Sequence, residues 1–339
     1  MDLLEQLVNL EGVSGNEHSV RNFILKESKK YSKSVSVDKM GNIVVRKKGV
    51  RPRIILLAHM DEVGLMVRSI DKKGKVFISE VGGVEPSILL AQRVYIKTKD
   101  KVKIRGVITN DQILNDEEIG EDPLSMMELY VSTGLTKKEL TAAGVKIGNY
   151  ITFTEDCSFR TLGNRNIISG KALDDRIGCY ILLELIRKLI TKNEIVFVFT
   201  VQEEVGLYGA KASVFNLEPD YAIAVDVTAH NDFDGTMVIG KGPSLTIKDA
   251  GMLGNKCLNE ALESVAAKLK ISLQLEVSDI GTTDAASVFA AKGGIPSAVL
   301  GVSVANLHST IGISHRRDVE EVIKILNEFL KKPPTKCWA

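Results

Sequence analysis

The chain has 339 residues, with 44 lysines and arginines against 43 aspartates and glutamates, so its formal net charge is +1. This balance argues against a nucleic-acid partner bound through its phosphates, because such binding requires a basic surplus. The apolar fraction of 44% and the aromatic fraction of 5% are typical of a globular protein with a large core. No uncharged run is long enough to cross a bilayer, so we expect no membrane partner either.

The amino-terminal segment MDLLEQLVNLEG has acids and a helical apolar pattern in place of the basic and apolar regions of a signal peptide. The cysteines are scattered, without CxxC or any other spacing typical of a metal site. We therefore expect a cytoplasmic protein with reduced thiols at all of them. They are Cys157, Cys179, Cys257 and Cys337.

The first part of the chain alternates helices and short strands. Apolar residues at helical spacing predict a helix around residues 3–8 and a second one around residues 20–24. A hairpin turn at 40–42 is predicted to join strands 34–37 and 43–45. A further apolar strand, 54–58, stops at His59, and Asp61 follows two residues later.

The pattern changes between residues 65 and 153. Short strand-like segments at 65–70, 76–81, 94–98 and 102–108 are separated by turns, with one helical segment at 136–143. We interpret residues 67–161 as a β-rich domain inserted into an α/β domain that comprises 1–66 and 162–339. The acidic segment 110–122 has no periodicity and is predicted to be a loop.

An α/β pattern returns after Ile167. Helices are predicted at 177–189, 255–269 and 318–330, strands at 195–201, 221–225 and 297–300, and a loose tail at 331–339. Strand 195–201, IVFVFTV, is typical of a strand buried on both faces, yet Glu203 and Glu204 follow it directly. Because buried charge is costly unless it is paired or binds a metal, these two carboxylates indicate a functional site.

Histidines and carboxylates follow several predicted strands or begin the helix at 177–189. Parallel strands would bring these positions to one edge of the sheet. Imidazole and carboxylate ligands without thiolates suit zinc, cobalt or manganese, and a pair of ions about 3.5–4 Å apart needs a bridging carboxylate. The candidates are His59, Asp61, Asp174, Asp175, Glu203, Glu204, Asp226 and His308.

Ordered motifs that span nearly the whole chain resemble those of the M42 family of co-catalytic metallo-aminopeptidases, which include the tetrahedral (TET) and glutamyl aminopeptidases. The resemblance implies a three-layer αβα metallopeptidase domain, formed by 1–66 and 162–339, and an inserted PDZ-like barrel, 67–161, that mediates dimerisation. The motifs are AHMDEVG from Ala58, KALDDR from Lys171, VQEEVG from Val201, VD from Val225 and GTTDA from Gly281.

The resemblance also implies a ligand set for two divalent ions per subunit. His59 and Asp226 would hold one ion, and Glu204 and His308 would hold the other. Asp174 would bridge the two. Zinc or cobalt is the first expectation and manganese the second.

Further roles follow from the same resemblance. Glu203 would be the general base that takes a proton from the attacking water, and Asp61 would orient His59. The peptide between Asp174 and Asp175 would be cis. Asp284 would lie near the substrate, although an N-cap for a helix at 285–291 explains this residue nearly as well.

The activity implied by the resemblance is removal of N-terminal residues from short peptides, in subunits that dimerise and assemble into a tetrahedral dodecamer. A non-catalytic assembly subunit of the same fold stays open as an alternative. A glycoside hydrolase is another, since members of the family have been labelled endoglucanases. That chemistry needs two carboxyl groups on opposite sides of the scissile bond, and the adjacent Glu203 and Glu204 fit it poorly.

The sequence departs from the family pattern around His308. Relatives often have an arginine and an aromatic residue shortly before this histidine and a glutamate four residues after it, where this chain has Ala305-Asn306-Leu307 and Gly312. The insertion also lacks a histidine that the family often has after 106–108. None of these changes removes an expected ligand, but they prevent copying the side-chain preference of any relative.

Overall fold

The computed structural model describes residues 2–99, 102–115, 123–163, 166–231 and 235–337. In these ranges no helix combines the length and the apolar character that crossing a membrane requires. The helices are α1 (Leu3–Asn9), α2 (His18–Lys29), α3 (Asp111–Leu114), α4 (Lys137–Ala142), α5 (Leu173–Lys188), α6 (Tyr208–Val214), α7 (Lys256–Leu269), α8 (Asp284–Phe289) and α9 (Arg316–Phe329).

The strands follow the alternating pattern that the sequence indicates and add several short ones. They are β1 (Val35–Val37), β2 (Ile43–Lys47), β3 (Val50–His59), β4 (Gly64–Ile70), β5 (Val76–Val81), β6 (Arg93–Lys97), β7 (Lys103–Thr109), β8 (Tyr130–Ser132), β9 (Tyr150–Phe153), β10 (Arg160–Leu162), β11 (Ile167–Gly170), β12 (Asn193–Thr200), β13 (Tyr221–Ala229), β14 (Ser244–Lys248), β15 (Gln274–Val277), β16 (Ser297–Val304) and β17 (Gly312–His315).

The central sheet has the strand order β1-β2-β12-β3-β13-β16-β14-β15. Its middle strands β12, β3, β13 and β16 are parallel, so their carboxyl ends meet at one edge. The register pairs His59 with Thr200 and Asp226 with Gly301. The hydrogen-bonded strands therefore fix the positions of His59 and Asp226 at this edge.

Strand β12 shows why the sheet has a helical layer on each face. Successive side chains of a strand point to opposite faces. Phe197 and Phe199 pack into the larger core with residues of α1, α5 and α9, whereas Val196 and Val198 pack with residues of α6 and α8. The structure is therefore the three-layer αβα arrangement expected from the sequence.

The chain between β3 and β10 forms a closed barrel with the strand order β4-β5-β8-β7-β6-β9. The interior of the barrel is a separate apolar core that includes Leu65, Ile78 and Ile108. The α/β fold thus carries an inserted barrel-like unit. Within the segment predicted as a loop, 110–122, the prediction is wrong for Asp111–Leu114, because the Asn110 side chain accepts a hydrogen bond from the Ile113 amide and starts α3. Residues 116–122 lie outside the described ranges.

Two of the cysteines that we expected to be reduced form a disulfide. Cys257 at the start of α7 is bonded to Cys337, with 5.4 Å between the Cα atoms, a normal separation for such a bond. The prediction of reduced thiols is therefore wrong for this pair and holds for Cys157 and Cys179, which are free and buried. The prediction of a loose tail is wrong as far as Cys337, because this residue is buried and tied to α7. A cytoplasmic location stays a prediction.

Candidate functional site

The structure gathers the expected ligands at the carboxyl edge of the central sheet. His59 is the last residue of β3, Asp226 lies near the end of β13, and Glu204 follows β12. Asp174 lies in the first turn of α5, and His308 lies in the connection between β16 and β17. All five line one cavity of about 880 Å³.

His59, Asp174 and Asp226 form the first ligand group. His59 Nε2 is 3.0 Å from Asp174 Oδ1 and 3.8 Å from Asp226 Oδ1. One ligand atom from each residue lies within 4.8 Å of the others. The His59 side chain is only 2% exposed, and that of Asp174 is 15% exposed.

Asp174, Glu204 and His308 form the second ligand group. His308 Nε2 is 3.5 Å from Asp174 Oδ2 and 3.4 Å from Glu204 Oε2. The ligand atoms again lie within 4.8 Å of one another. The two oxygens of Asp174 thus face different groups, which is the geometry that a bridging carboxylate requires.

The donor set fits two divalent cations. Imidazole nitrogens and carboxylate oxygens are the ligands of choice for zinc, cobalt and manganese. Burial, together with the charge of Asp174, raises the pKa of Glu204 to about 8 and that of Asp226 to about 7. A cation in each group would compensate the negative charge that otherwise draws protons to these carboxylates.

The neighbouring carboxylates also raise the pKa of the two histidines. Burial lowers the pKa of His59, but hydrogen bonds with Asp174 and Asp61 outweigh it and raise the pKa well above its usual value. The pKa of His308 is raised to about 9, chiefly by its hydrogen bond with Asp174. The raised pKa values reflect the excess of carboxylates around both rings, and a bound cation would take the place of the proton and leave neutral imidazoles as ligands.

Asp61 lies at the back of both groups and is fully buried. Its Oδ1 is 3.6 Å from His59 Nδ1, although the nearer acceptor for that nitrogen is the Asp61 backbone oxygen at 3.2 Å. The carboxylate also accepts hydrogen bonds from the Glu203 amide at 3.1 Å, the Glu204 amide at 3.2 Å and the Ser14 hydroxyl at 2.6 Å. Asp61 therefore contacts the imidazole side of one group and the backbone of the other.

Asp175 has a supporting position that the sequence did not reveal. Its carboxylate accepts hydrogen bonds from the His59 amide at 3.1 Å and the Gly178 amide at 2.8 Å. Only glycine fits at 178, because a Cβ atom there would lie 2.4 Å from both Asp175 Oδ2 and the Val225 carbonyl oxygen. The peptide between Asp174 and Asp175 is cis, as the resemblance implied.

A buried ion cluster lies under the same segments and was also missed from the sequence. The Glu62 carboxylate contacts Lys171 Nζ at 2.6 Å and Arg176 at 3.4 Å and accepts a hydrogen bond from the Gly12 amide at 2.7 Å. Arg176 is fully buried and donates to the Met60 and Leu7 carbonyls. The cluster joins the end of β3 to the start of α5, which both carry ligands. The charged residues inside the motifs were its only sequence signal.

Glu203 lines the cavity beside the ligands and is mostly buried, which raises its pKa well above the usual value. Asp284 takes a different position. Its Oδ2 accepts a hydrogen bond of 2.5 Å from the Thr200 hydroxyl, and it is not among the described residues that line the cavity. The N-cap of α8 is Thr283, so the N-cap alternative for Asp284 is wrong.

The unusual segment around His308 has a tightly packed neighbour. A Cβ atom at Gly312 would lie 3.2 Å from Val304 Cγ1 and 3.4 Å from Leu173 Cδ1. A side chain at this position would require Val304 to shift by a few tenths of an ångström. Asn306 and His308 have positive φ angles of 54° and 55°.

The chain is similar to known proteins over almost its entire length. A family model described as M42 glutamyl aminopeptidase matches residues 41–325. A putative aminopeptidase of Acetivibrio thermocellus is 37% identical over 97% of this chain and 98% of its own length. The lysyl aminopeptidase of Pyrococcus furiosus is 32% identical over 98% of this chain and 96% of its own length.

Solved structures show the same similarity. A TET aminopeptidase from the archaeon Thaumarchaeota archaeon SCGC AB-539-E09 superimposes with a TM-score of 0.91 at 31% identity, covering 98% of this chain and 96% of that one. The TET1 peptidase of Pyrococcus horikoshii superimposes with a TM-score of 0.87 at 30% identity, covering 97% and 98% of the two chains.

Proposed function

The chain belongs to the M42 peptidase family, and from this premise we propose that it is a two-metal aminopeptidase that removes N-terminal residues from short peptides. Hydrolysis of peptides is the activity of the family itself. The observation that carries the two-metal proposal is that the two ligand groups share Asp174, which offers a different oxygen to each. Zinc, cobalt and manganese all suit these ligands.

Each residue of the centre has a distinct task in this proposal. His59, Asp174 and Asp226 would hold one ion, and Asp174, Glu204 and His308 would hold the other. Divalent ions held by these residues would supply Lewis-acid chemistry, which lowers the pKa of water and polarises a carbonyl group. Asp61 would orient His59 through the Nδ1 side of the ring and keep the segment at Glu203 in place.

Glu203 is the proposed general base. It follows the buried strand β12 and lines the same cavity as the ligands. One carboxylate oxygen of Glu203 can accept a proton from the attacking water. The same oxygen can then deliver that proton to the nitrogen of the leaving amine. Its burial keeps the pKa above that of an exposed glutamate, which suits a group that must both accept and release a proton.

We further propose that subunits pair through the barrel and assemble in the cytoplasm into larger shells. In support, PhTET1 has been solved as a dodecamer, and the Pyrococcus horikoshii TET1 peptidase assembles into a tetrahedron or a large octahedral shell. Active sites that face the interior of such a shell would admit short peptides and exclude folded proteins. Light scattering measures the mass, and a monomer at micromolar concentration would contradict this assembly.

The test of the mechanism is Glu203→Gln, which removes the base and keeps the shape of the side chain. Turnover of amino-acid amides should fall by about 10²- to 10⁴-fold with zinc, cobalt or manganese added, the contribution of a positioned general base. Metal content should stay at two ions per chain. Asp279→Asn, which changes an exposed carboxylate that pairs with Lys248, is the matched control. Full activity of Glu203→Gln would overturn the assignment of the base.

A further inference from the structure

The cavity extends from the proposed metal centre along strands β13, β14 and β15. Beyond the metal ligands, Thr228 of β13, Thr246 of β14 and Glu276 of β15 line it, and Asp249 follows β14. The family match does not indicate which side chain occupies this part of the cavity, since the relatives include a lysyl aminopeptidase while the family model is described as glutamyl. The side-chain preference must therefore be inferred from the residues that line this part of the cavity.

The lining is strongly acidic and has no basic partner. Among the described residues no lysine or arginine lines the cavity, and its histidines belong to the metal centre. Two bound divalent ions would compensate the carboxylates of that centre. Among the described residues, no lysine or arginine forms an ion pair with Glu276 or Asp249, and Lys248, which directly precedes Asp249, contacts Asp279 and the Ser278 carbonyl.

Glu276 is held in place by neutral donors. The Thr228 hydroxyl donates a short hydrogen bond to its Oε1, and the Thr246 hydroxyl donates one of 2.6 Å to its Oε2. These donors fix the carboxylate without neutralising it, and each of its oxygens keeps a free lone pair. Thr228 lies two residues beyond Asp226 on β13, so both side chains share a face and are about 7 Å apart along the strand.

Asp249 adds a second, more deeply buried carboxylate. It is 7% exposed and lines the same cavity. Its Oδ1 accepts hydrogen bonds of 2.7 Å from the amides of Gly251 and Met252, whereas its Oδ2 has no hydrogen-bond partner in the described part of the chain. A buried carboxylate oxygen without a partner is costly unless a cation or donor reaches it.

We propose that Glu276, with Asp249 behind it, selects peptides whose N-terminal residue has a long side chain ending in a cation, such as lysine or arginine. This inference rests on the proposed aminopeptidase function. An amino terminus at the metal centre would place such a side chain along β13 toward Glu276. Met237, Leu275 and Leu307 also line the cavity and offer apolar contact to an aliphatic stem.

The experiment compares p-nitroanilides of L-lysine and L-norleucine, which have the same carbon stem and differ in the terminal charge. The metal-loaded wild type should favour lysine in kcat/KM by about 10- to 100-fold, as expected for hydrogen bonds to a charged group. Glu276→Gln should lower this ratio by about tenfold or more, and Asp249→Asn should lower it by a smaller factor. Asp249→Asn keeps the Oδ1 acceptor for both backbone amides, so the turn is retained.

Glu260→Gln is the matched control, since its carboxylate is exposed on α7 and lies outside the described cavity lining. This variant should keep the wild-type ratio, and an unchanged Tm shows that each variant is folded. A wild-type ratio near one, or a ratio that Glu276→Gln leaves unchanged, would overturn the specificity while the peptidase function stands. If neither anilide is cleaved while other amino-acid amides are, the specificity fails and the peptidase function stands. If no amino-acid amide is cleaved either, the proposed function fails. The affinities of L-lysine and L-norleucine for the metal-loaded protein, measured by calorimetry, then test the proposed pocket independently of turnover.

Discussion

The two ligand groups of the proposed metal centre share Asp174 but differ in what fixes their other members. In the first group, His59 and Asp226 lie on neighbouring parallel strands, and their side chains are almost completely buried. In the second group, His308 lies in a connection between strands, and its side chain is 40% exposed. His59 and Asp226 lie in segments that match the family motifs, whereas the residues around His308 depart from the family pattern. Only His59 and Asp226 are held by the sheet.

This difference has a consequence for metal binding. Ligands on adjacent strands keep their separation because the backbone hydrogen bonds of the sheet hold them, whereas a loop ligand must be ordered when the ion binds. Solvent also reaches the second group more readily and weakens its electrostatic attraction for a cation. We therefore expect the ion of the first group to bind more tightly than the ion of the second.

The largest effect is expected where the two groups are joined. Asp174→Asn removes the charge that both groups share, so the metal content should fall from two ions per chain toward none. Turnover should fall by about 10³-fold or more, because a bound ion contributes several kcal/mol to transition-state stabilisation. Metal analysis after dialysis and amide hydrolysis check both outcomes, with Asp279→Asn as the control. An Asp174→Asn protein that retains two ions would disprove the bridge.

A smaller and more selective effect separates the groups. His308→Ala should release the second ion and leave about one per chain, whereas His59→Ala should release the more tightly held ion. His59→Ala should also lower the Tm of the metal-loaded protein more, since it removes a bound ion and leaves the buried Asp174 and Asp226 without their imidazole partner. Mass spectrometry of bound metal and thermal unfolding report the two results. Equal losses in both variants would show that the strand and loop ligands do not differ.

The sequence predicted that the candidate residues lie together at one edge of the sheet, because their positions follow simple rules. His59 and Glu204 follow strands that are recognisable from apolar runs, and parallel strands bring such positions together. The strand predicted at 195–201 is Asn193–Thr200 in the structure. Residue types and strand ends were enough to predict this proximity, because the sheet converts separations along the chain into neighbouring positions. The assignment of each residue to an ion came from the family resemblance.

Other features depend on tertiary contacts that carry no local signal. Strands β14 and β15 were not predicted, and β15 is a short edge strand whose residues alternate only between partly buried and exposed positions. The bond between Cys257 and Cys337 joins residues 80 positions apart, which the fold alone brings together. Asp61 accepts a hydrogen bond from the Glu203 amide, and Asp175 accepts one from the His59 amide. These partners are distant in sequence, so the sequence did not indicate the contacts.

The last and smallest effect concerns Asp61, which contacts both groups without belonging to either. In Asp61→Asn the amide nitrogen must replace one carboxylate oxygen, so it will face either the Glu203 amide or the Glu204 amide, donor against donor. We expect metal affinity or activity to fall by about 10- to 100-fold, the usual cost of losing a partner behind the ligands.

The Asp61→Asn variant should weaken both ions by similar factors, because the residue supports His59 on one side and the backbone of Glu204 on the other. Competitive titration with a chromophoric chelator measures the two affinities separately. Ser14→Ala is the matched control, since it removes a 2.6 Å hydrogen bond to the same carboxylate without placing a donor against the backbone. Loss confined to the ion of the first group would mean that Asp61 acts through His59 alone.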